Sequence, residues 1–331
     1  MTGLLTLDDI RAAASRIAGV ARVTPLVEVR ELSAWGEADA FSLRLKCENL
    51  QVGGAFKIRG AFNMASQIPE SARRAGLLTY SSGNHGLATA ITARRLGVPA
   101  VIVMPTTAPP VKVEGARGLG AEVLFEGTTT LERKKRGEAE AARRGMTIVP
   151  PFDHPHTVAG QGTVGLEILE QCPEVATVYV QIGGGGLISG IATAIKRSRP
   201  SAQVVGVEPV GSARMTASLA AGEPVTIPMT PGIADGLLAV RPGDITFRHV
   251  RAFVDRIVTI DDRAIVAALR WIFREGRLVA EPSGAITVAA ALSDLAAGRL
   301  EPRGPVVAVI SGGNVEPAAF RQYLEDGAAA G

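Results

Sequence analysis

Cysteine is almost missing from this sequence: Cys47 and Cys172 are the only two in 331 residues. Two isolated thiols make neither a disulfide framework nor a zinc site, and they suit a reducing compartment. Aromatic residues are scarce as well, at 4 %, which removes the stacking platforms that single-stranded nucleic acid needs. An excess of one charge is lacking too. Thirty-five Lys and Arg stand against 32 Asp and Glu, a net charge of +3, too balanced to argue for a polyanionic partner. No apolar run approaches the roughly 18 residues of a membrane span, and no basic segment followed by an apolar stretch opens the chain. The expectation is a soluble, cytoplasmic protein without nucleic-acid or membrane partners.

What is plentiful is core material. The chain is 47 % hydrophobic and only 20 % charged, enough for one large domain or two smaller ones. Thr6 and Asp9 form a capping-box pattern that opens a helix running to about Ile17. A short strand is predicted over Phe41 to Leu45, and a helix over Ile58 to Ile68 with apolar residues at 58, 61, 62, 65 and 68. Alternation follows: strands at Leu77 to Tyr80, Ala100 to Met104 and Glu122 to Phe125, with helices at Asn84 to Leu96, Val111 to Leu119 and Thr130 to Arg144. Pro150-Pro151 marks a crossing between domains. Beyond it the alternation resumes. Helices are expected at Val158 to Leu169, Ile188 to Lys196, Asp262 to Glu275 and Ser283 to Leu295, and strands at Thr177 to Ile182, Gln203 to Val207, Val254 to Val258 and Pro305 to Ile310. The Pro- and Gly-rich segment Gly222 to Asp244 reads as a long ordered connection. Such β-α order argues for parallel sheets covered by helices on both faces.

Three turns and one lysine carry the chemistry. Lys57 follows Gly53 and Gly54, lies between Phe56 and Ile58, and opens a helix. In partly apolar surroundings a lysine loses some preference for its charge, and a neutral amine can attack a carbonyl to form a Schiff base. Gly183 to Gly186 lie between a strand and a helix, where bare backbone N–H groups and the helix dipole favour a phosphate. A dinucleotide site is the rival, with Glu208 at the end of the next strand as its ribose acid, but the Gly-x-Gly-x-x-Gly spacing fails at Ile188 and Ser189. Ser81-Ser82-Gly83-Asn84-His85-Gly86 brings hydroxyls, an amide and free helix N–H groups together as a carboxylate cradle, although Asn84 or a serine could simply cap the helix. Ser311-Gly312-Gly313-Asn314 closes a third strand at the usual ligand edge of a parallel sheet. Phosphate, carboxylate and Schiff-base lysine together suggest pyridoxal phosphate acting on an amino acid.

The chain resembles the fold type II pyridoxal-phosphate enzymes, in their serine/threonine dehydratase and serine racemase branch. The resemblance rests on Lys46-Cys47-Glu48-Asn49, on Gly54 to Ala61, on Ser81 to Gly86, on Phe152-Asp153 and on Ala159 to Thr163. It continues through the tetraglycine, Ile233-Ala234-Asp235-Gly236, Glu281 to Ala285 and Ser311 to Asn314. It implies an α/β fold like that of the tryptophan synthase β chain, with two parallel-sheet αβα domains. Residues 54–150 would form a small, mobile domain, and 1–53 with 151–331 a large cofactor-binding domain.

By the same resemblance Lys57 would hold the cofactor as a Schiff base and later move the Cα proton. Phe56 would back the ring, Asn84 would bond its phenolic oxygen, Gly183, Gly184, Gly185 and Gly186 would take the phosphate, Ser311 would meet the pyridine nitrogen, and Gly236 and Glu281 would line the ring. A serine at that nitrogen makes a weaker electron sink than an aspartate, favouring prompt loss of a β-substituent. Ser81, Ser82, Asn84 and His85 would bind substrate, and Ser82 looks like the acid/base of the racemase branch on the opposite face. The implied reaction is dehydration and deamination of L-threonine or L-serine to a 2-oxo acid and ammonia, in a homodimer. Alternatives are a serine or aspartate racemase, a threo-3-hydroxyaspartate dehydratase, or a non-catalytic amino-acid-binding protein on the same fold.

Some residues depart from the pattern. Ala55 replaces a common serine, and Leu87 stands where a glutamine is usual. In metal-binding relatives acidic ligands follow the Glu-Pro that matches Glu208-Pro209; here Arg214 falls near one of them, so no metal is expected. His154 and His156 lack an evident third ligand, and a turn before a helix is the simpler reading. No C-terminal regulatory domain, and hence no feedback control by isoleucine, is expected.

Overall fold

The structure, a computed structural model, describes residues 3–29, 43–81, 83–108, 110–300 and 304–325. The strands are Leu26–Val29 (β1), Leu43–Cys47 (β2), Leu77–Thr79 (β3), Ala100–Met104 (β4), Glu122–Phe125 (β5), Thr147–Ile148 (β6), Thr177–Gln181 (β7), Gln203–Pro209 (β8), Arg256–Ile260 (β9) and Val306–Ile310 (β10). They form a six-stranded sheet ordered β1-β2-β10-β7-β8-β9 and a four-stranded sheet ordered β5-β4-β3-β6. All pairs are parallel except β1 with β2. Every residue of β7 (Thr-Val-Tyr-Val-Gln) and β10 (Val-Val-Ala-Val-Ile) is buried, as strands covered on both faces must be.

Helices supply that cover. On one face of the larger sheet, Tyr179, Val205, Ala308 and Ile310 pack with Ile265 and Leu269 of Asp262–Arg274 and Ile286 of Pro282–Ala296. On the other, Val178, Val180, Val307 and Val309 meet Val164 and Ile168 of Pro155–Gln171 and Ile188 and Ile191 of Gly186–Ser198. The smaller sheet packs Leu77, Ile102 and Met104 against Lys57–Ser66 and Asn84–Leu96. Its reverse face packs Leu78, Val101 and Val103 against Ala141 of Thr130–Arg144.

Several elements departed from the sequence reading, some of them for a non-local reason. The strand expected over 41–45 lies at Leu43–Cys47, and residues 41 and 42 are outside the described residues. Lys46, which reads as a polar strand end, is buried because its ammonium reaches Glu167 at 2.6 Å and Thr24 O at 2.7 Å. The antiparallel edge strand β1 has no sequence signal beyond Thr24-Pro25. The helix Pro155–Gln171 begins three residues early, with His154 as its cap. The helix Asp244–Phe253 was missed because its cap is distant: the Asp153 carboxylate accepts from the N–H groups of Asp244, Ile245 and Thr246.

A buried ionic cluster ties the Lys57 helix to the larger sheet. Arg59 is forked to Glu48 (2.8 and 2.7 Å) and to Glu167 (2.6 and 3.0 Å), and Lys46 completes the set. Two cations and two carboxylates balance, the condition under which such charges are tolerated inside a protein. Burial works against the Glu48 charge, but the Arg59 guanidinium more than offsets it and holds the carboxyl below its usual range.

Candidate active site

The functional side chains converge where strands of both sheets end, the edge at which parallel sheets bind ligands. β7 runs into the tetraglycine, β10 into Ser311, and β3 toward Ser81 and Asn84. Around them the chain is zipped by backbone bonds: Phe56 N–H donates to Ser311 O at 3.1 Å and Gly313 N–H to Gly54 O at 2.9 Å. Gly54 has φ +73°, and a Cβ there would sit 2.3 Å from Asn314 Oδ1, so only glycine fits that approach.

Lys57 opens its helix with the amine donating to Pro151 O at 2.9 Å and lying 5.0 Å from the centre of the Phe56 ring. Burial pushes its pKa down to about 8, with Glu281 pulling the other way. Glu281 is itself pushed up to about 8 by burial and by Asp235, against a 2.8 Å bond donated by Asn84 Nδ2. A carboxyl that is mostly neutral near pH 7 and a lysine whose neutral form becomes accessible just above it form the electrostatic centre of the site. Asn314, quoted in the sequence motif but not singled out, donates to both Asn84 Oδ1 and Gly53 O at 2.8 Å. Asn84 therefore does not cap its helix; the cap is Gly83, without a side-chain bond.

His85 is buried, with Nε2 2.9 Å from Val149 O and Nδ1 without a partner among the described residues. A ring nitrogen facing a carbonyl must carry the proton, which leaves Nδ1 as a free acceptor. Burial and the neighbouring Lys57 push this histidine down to about 3, so it is neutral at physiological pH. Ser81 Oγ accepts from Gly83 N–H at 3.4 Å. Ser82, assigned both catalytic and substrate-binding roles from the sequence, lies outside the described residues.

The tetraglycine is shaped by close neighbours. A Cβ on Gly184 would fall 2.4 Å from the Phe152 ring, and Gly185 has φ +97°. Gly185 caps Gly186–Ser198 without a side chain, and among the described residues no acceptor takes the N–H groups of Gly183 to Gly186. These orphaned donors at a helix start suit a phosphate. Glu208, the ribose acid of the rival reading, is spent: its carboxylate accepts from Met215 N–H, Thr216 N–H and Thr216 Oγ1 at 2.8–2.9 Å. Gly236 N–H donates to Ser283 Oγ at 3.0 Å, and Ser311 is buried at the end of β10. Contacts that the sequence did not reveal are Pro151 O on Lys57, Phe152 on the glycines, and Arg214 on the carbonyls of Ile182 and Gly183. Their partners lie 31 or more residues away, beyond any local pattern.

A desolvated amine bonded to Pro151 O, with the neighbouring Phe152 packed on a backbone phosphate cradle, suits a phosphorylated carbonyl cofactor. The chain belongs to the pyridoxal-phosphate dependent enzyme family, whose model matches residues 17–312. It is 40 % identical over 314 residues to an L-threonine ammonia-lyase of Thermotoga maritima, covering 95 % of this chain and 76 % of that one. It is 38 % identical over 321 residues to a serine racemase of Schizosaccharomyces pombe, covering 97 % and 98 %. The solved structure of maize serine racemase superposes with a TM-score of 0.90 at 37 % identity, covering 99 % of each chain. The fold type II architecture and the pyridoxal-phosphate cofactor thus stand. Dehydratase and racemase relatives are equally near.

Proposed function

We propose that the chain removes water and then ammonia from a small hydroxy amino acid, L-threonine or L-serine, to leave a 2-oxo acid. The net reaction is one amino acid to one 2-oxo acid and one ammonia, because the water lost in elimination is regained when the released enamine hydrolyses. The observation that carries this reading is the Lys57 amine, depressed to about 8 and bonded to Pro151 O, next in sequence to the Phe152 that packs on glycines whose N–H groups find no acceptor among the described residues. Bound pyridoxal phosphate supplies an electron sink that acidifies the substrate Cα–H.

The residues then divide the work. Lys57 would hold the cofactor and, as a free amine, would take the Cα proton; a pKa near the working pH suits a group that must both accept and return it. Gly183, Gly184, Gly185 and Gly186 bind the phosphate, Ser311 offers a hydroxyl to the ring nitrogen, and Phe56, Gly236 and Glu281 line the ring. Asn84, fixed by Glu281 and Asn314, presents its amide to the ring's oxygen. Ser81, Ser82 and His85 receive the substrate, with the neutral His85 Nδ1 as an acceptor. The unit 54–150, which contains the smaller sheet, moves to close over substrate, and a cytoplasmic homodimer completes the reading.

A second reading, racemisation of serine or aspartate, is supported by the racemase relatives and rests on Ser82 as acid/base on the opposite face. Release of 2-oxo acid from L-threonine, L-serine and threo-3-hydroxyaspartate, measured beside formation of the D-enantiomers of serine and aspartate, tests both. Preferential 2-oxo acid from threonine or serine supports the dehydratase. Faster Cα inversion than elimination replaces it with the racemase. Tight amino-acid binding without either product would leave a non-catalytic binding protein.

A further inference from the structure

Arg214 is fully buried at the first residue of the helix Arg214–Ala221. The nearest carboxylate, Glu208, is 3.9 Å away and already accepts from Met215 and Thr216. The guanidinium spends its donors on uncharged acceptors instead. Nε donates to Gly183 O at 2.9 Å, one terminal nitrogen donates to Ile182 O, and the other to Ser212 O and, at 2.8 Å, to Ser212 Oγ. Burial pushes its pKa down to about 10, with Glu208 opposing, so it stays charged near neutrality. A buried cation whose counter-charge stands at 3.9 Å without a hydrogen bond to it is costly, and an apolar side chain of the same volume would avoid that cost. Its presence calls for a role.

The geometry of the loop supplies one. In a trans peptide the C=O and the following N–H point in opposite directions, and no peptide among the described residues is cis. Drawing the carbonyls of Ile182 and Gly183 toward Arg214 therefore turns the N–H groups of Gly183 and Gly184 the other way. The next peptide is held similarly: Thr246 Oγ1 and Gly243 N–H both donate to Gly184 O, at 2.6 and 3.3 Å, which turns Gly185 N–H away from Thr246. Three successive donors are thus oriented from behind. Glycine backbone is otherwise the least constrained in the chain.

We propose that Arg214 is a positioning residue for the cofactor phosphate, aligning the Gly183 and Gly184 N–H groups through its fork and placing a fixed positive charge behind them. The inference rests on the tetraglycine being the phosphate cradle. In a low-dielectric interior a cation one peptide away from the donors strengthens their hold on an anion.

The test compares two ligands on the apoprotein, pyridoxal phosphate and pyridoxal, which lacks the phosphate. Dissociation constants are read from the Schiff-base absorbance of wild type, Arg214→Met and Arg214→Lys. The expected result is that Arg214→Met weakens pyridoxal phosphate tenfold or more while leaving pyridoxal within twofold. Arg214→Lys, which keeps the charge and loses the fork, should fall between. Equal weakening of both ligands would mean a merely structural residue and would overturn the proposal, as would unchanged affinity for pyridoxal phosphate. Should Arg214→Met not fold, Arg214→Lys alone decides: a threefold or greater loss confined to pyridoxal phosphate supports the alignment, and no loss overturns it. A wild-type protein with no preference for the phosphorylated ligand would instead remove the cradle assignment itself.

Discussion

Asn84 and Glu281 are 197 residues apart in sequence, yet the Asn84 amide donates to Glu281 Oε1 at 2.8 Å. The bond joins the first residue of a smaller-sheet helix to the cap of a larger-sheet helix. Because burial and Asp235 hold Glu281 largely protonated up to about pH 8, a neutral isostere should serve at this position. Glu281→Gln keeps an acceptor for Asn84 and is expected to retain turnover within several-fold at neutral pH. Its acid limb of kcat should move to lower pH, because the released Lys57 amine loses a neighbour that favours its charge. Glu281→Ala orphans the Asn84 donor at about 1–3 kcal/mol, a loss of roughly five- to 160-fold. A pH profile of the three proteins checks this. A dead but folded Glu281→Gln would show that the ionised carboxylate is required.

Lys57 carries the sharpest pH prediction. A pKa of about 8 in place of 10.5 leaves about two hundred times more neutral amine near pH 7.5 than an ordinary lysine would have. The rate at which the apoprotein forms a Schiff base with pyridoxal should therefore rise with a midpoint near 8. Lys57→Met should form none and show no turnover. The linkage runs in a fixed direction: with the folded pKa depressed, the cost of the buried ammonium is full below about 8 and disappears as pH rises toward 10.5. Lys57→Met should thus raise the melting temperature of the apoprotein at pH 7, and the difference should close above pH 8. A midpoint near 10.5 with no stability difference would refute the desolvated amine.

How much of this was legible in the sequence depended on range. Asn84–Leu96 was read to the residue because β3, the turn and the C-terminal Gly97 are all local signals. The positions of the tetraglycine, between β7 and the helix Gly186–Ser198, and of Lys57, opening a helix just after Gly53 and Gly54, follow from local patterns of the same kind. What escaped was held from afar. Asp153 caps a helix some 91 residues away, and Lys46 is buried only because Glu167 lies 121 residues on. Glu208 was legible as a charge but not as a cap for Met215 and Thr216. Tertiary partners of this kind leave no periodic trace.

Arg59 shows what such a partner is worth. It sits two residues beyond Lys57, bonded to both Glu48 and Glu167 in the interior. Arg59→Met would leave two carboxylates facing one ammonium, that of Lys46, and breaking a buried pair from one side costs about 3–5 kcal/mol. Chemical denaturation should register a loss of that order at pH 7. Part of it should be recovered at lower pH, where Glu48, no longer held down by the guanidinium, takes up a proton. A variant as stable as wild type would mean that the cluster is electrostatically neutral to folding.

Lys112 and Asp235 test whether the charges at the mouth of the site act together. Lys112 lies in the helix Pro110–Gly118 and its ammonium is 3.3 Å from Asp235, beside Gly236 on the larger-sheet side. As a partly exposed pair it adds at most about 1 kcal/mol to stability, so its substitutions should leave the melting temperature within a few degrees. The effect on ionisation has a definite sign. Asp235 pushes Glu281 up and Lys112 pulls it down. Asp235→Asn should let Glu281 ionise at lower pH, and that charge should raise Lys57 and move the acid limb of kcat to higher pH. Lys112→Met should move the limb the opposite way. Opposed shifts at constant stability would establish the chain of influence from Asp235 through Glu281 to Lys57. Shifts in the same direction, or none, would break it at Glu281.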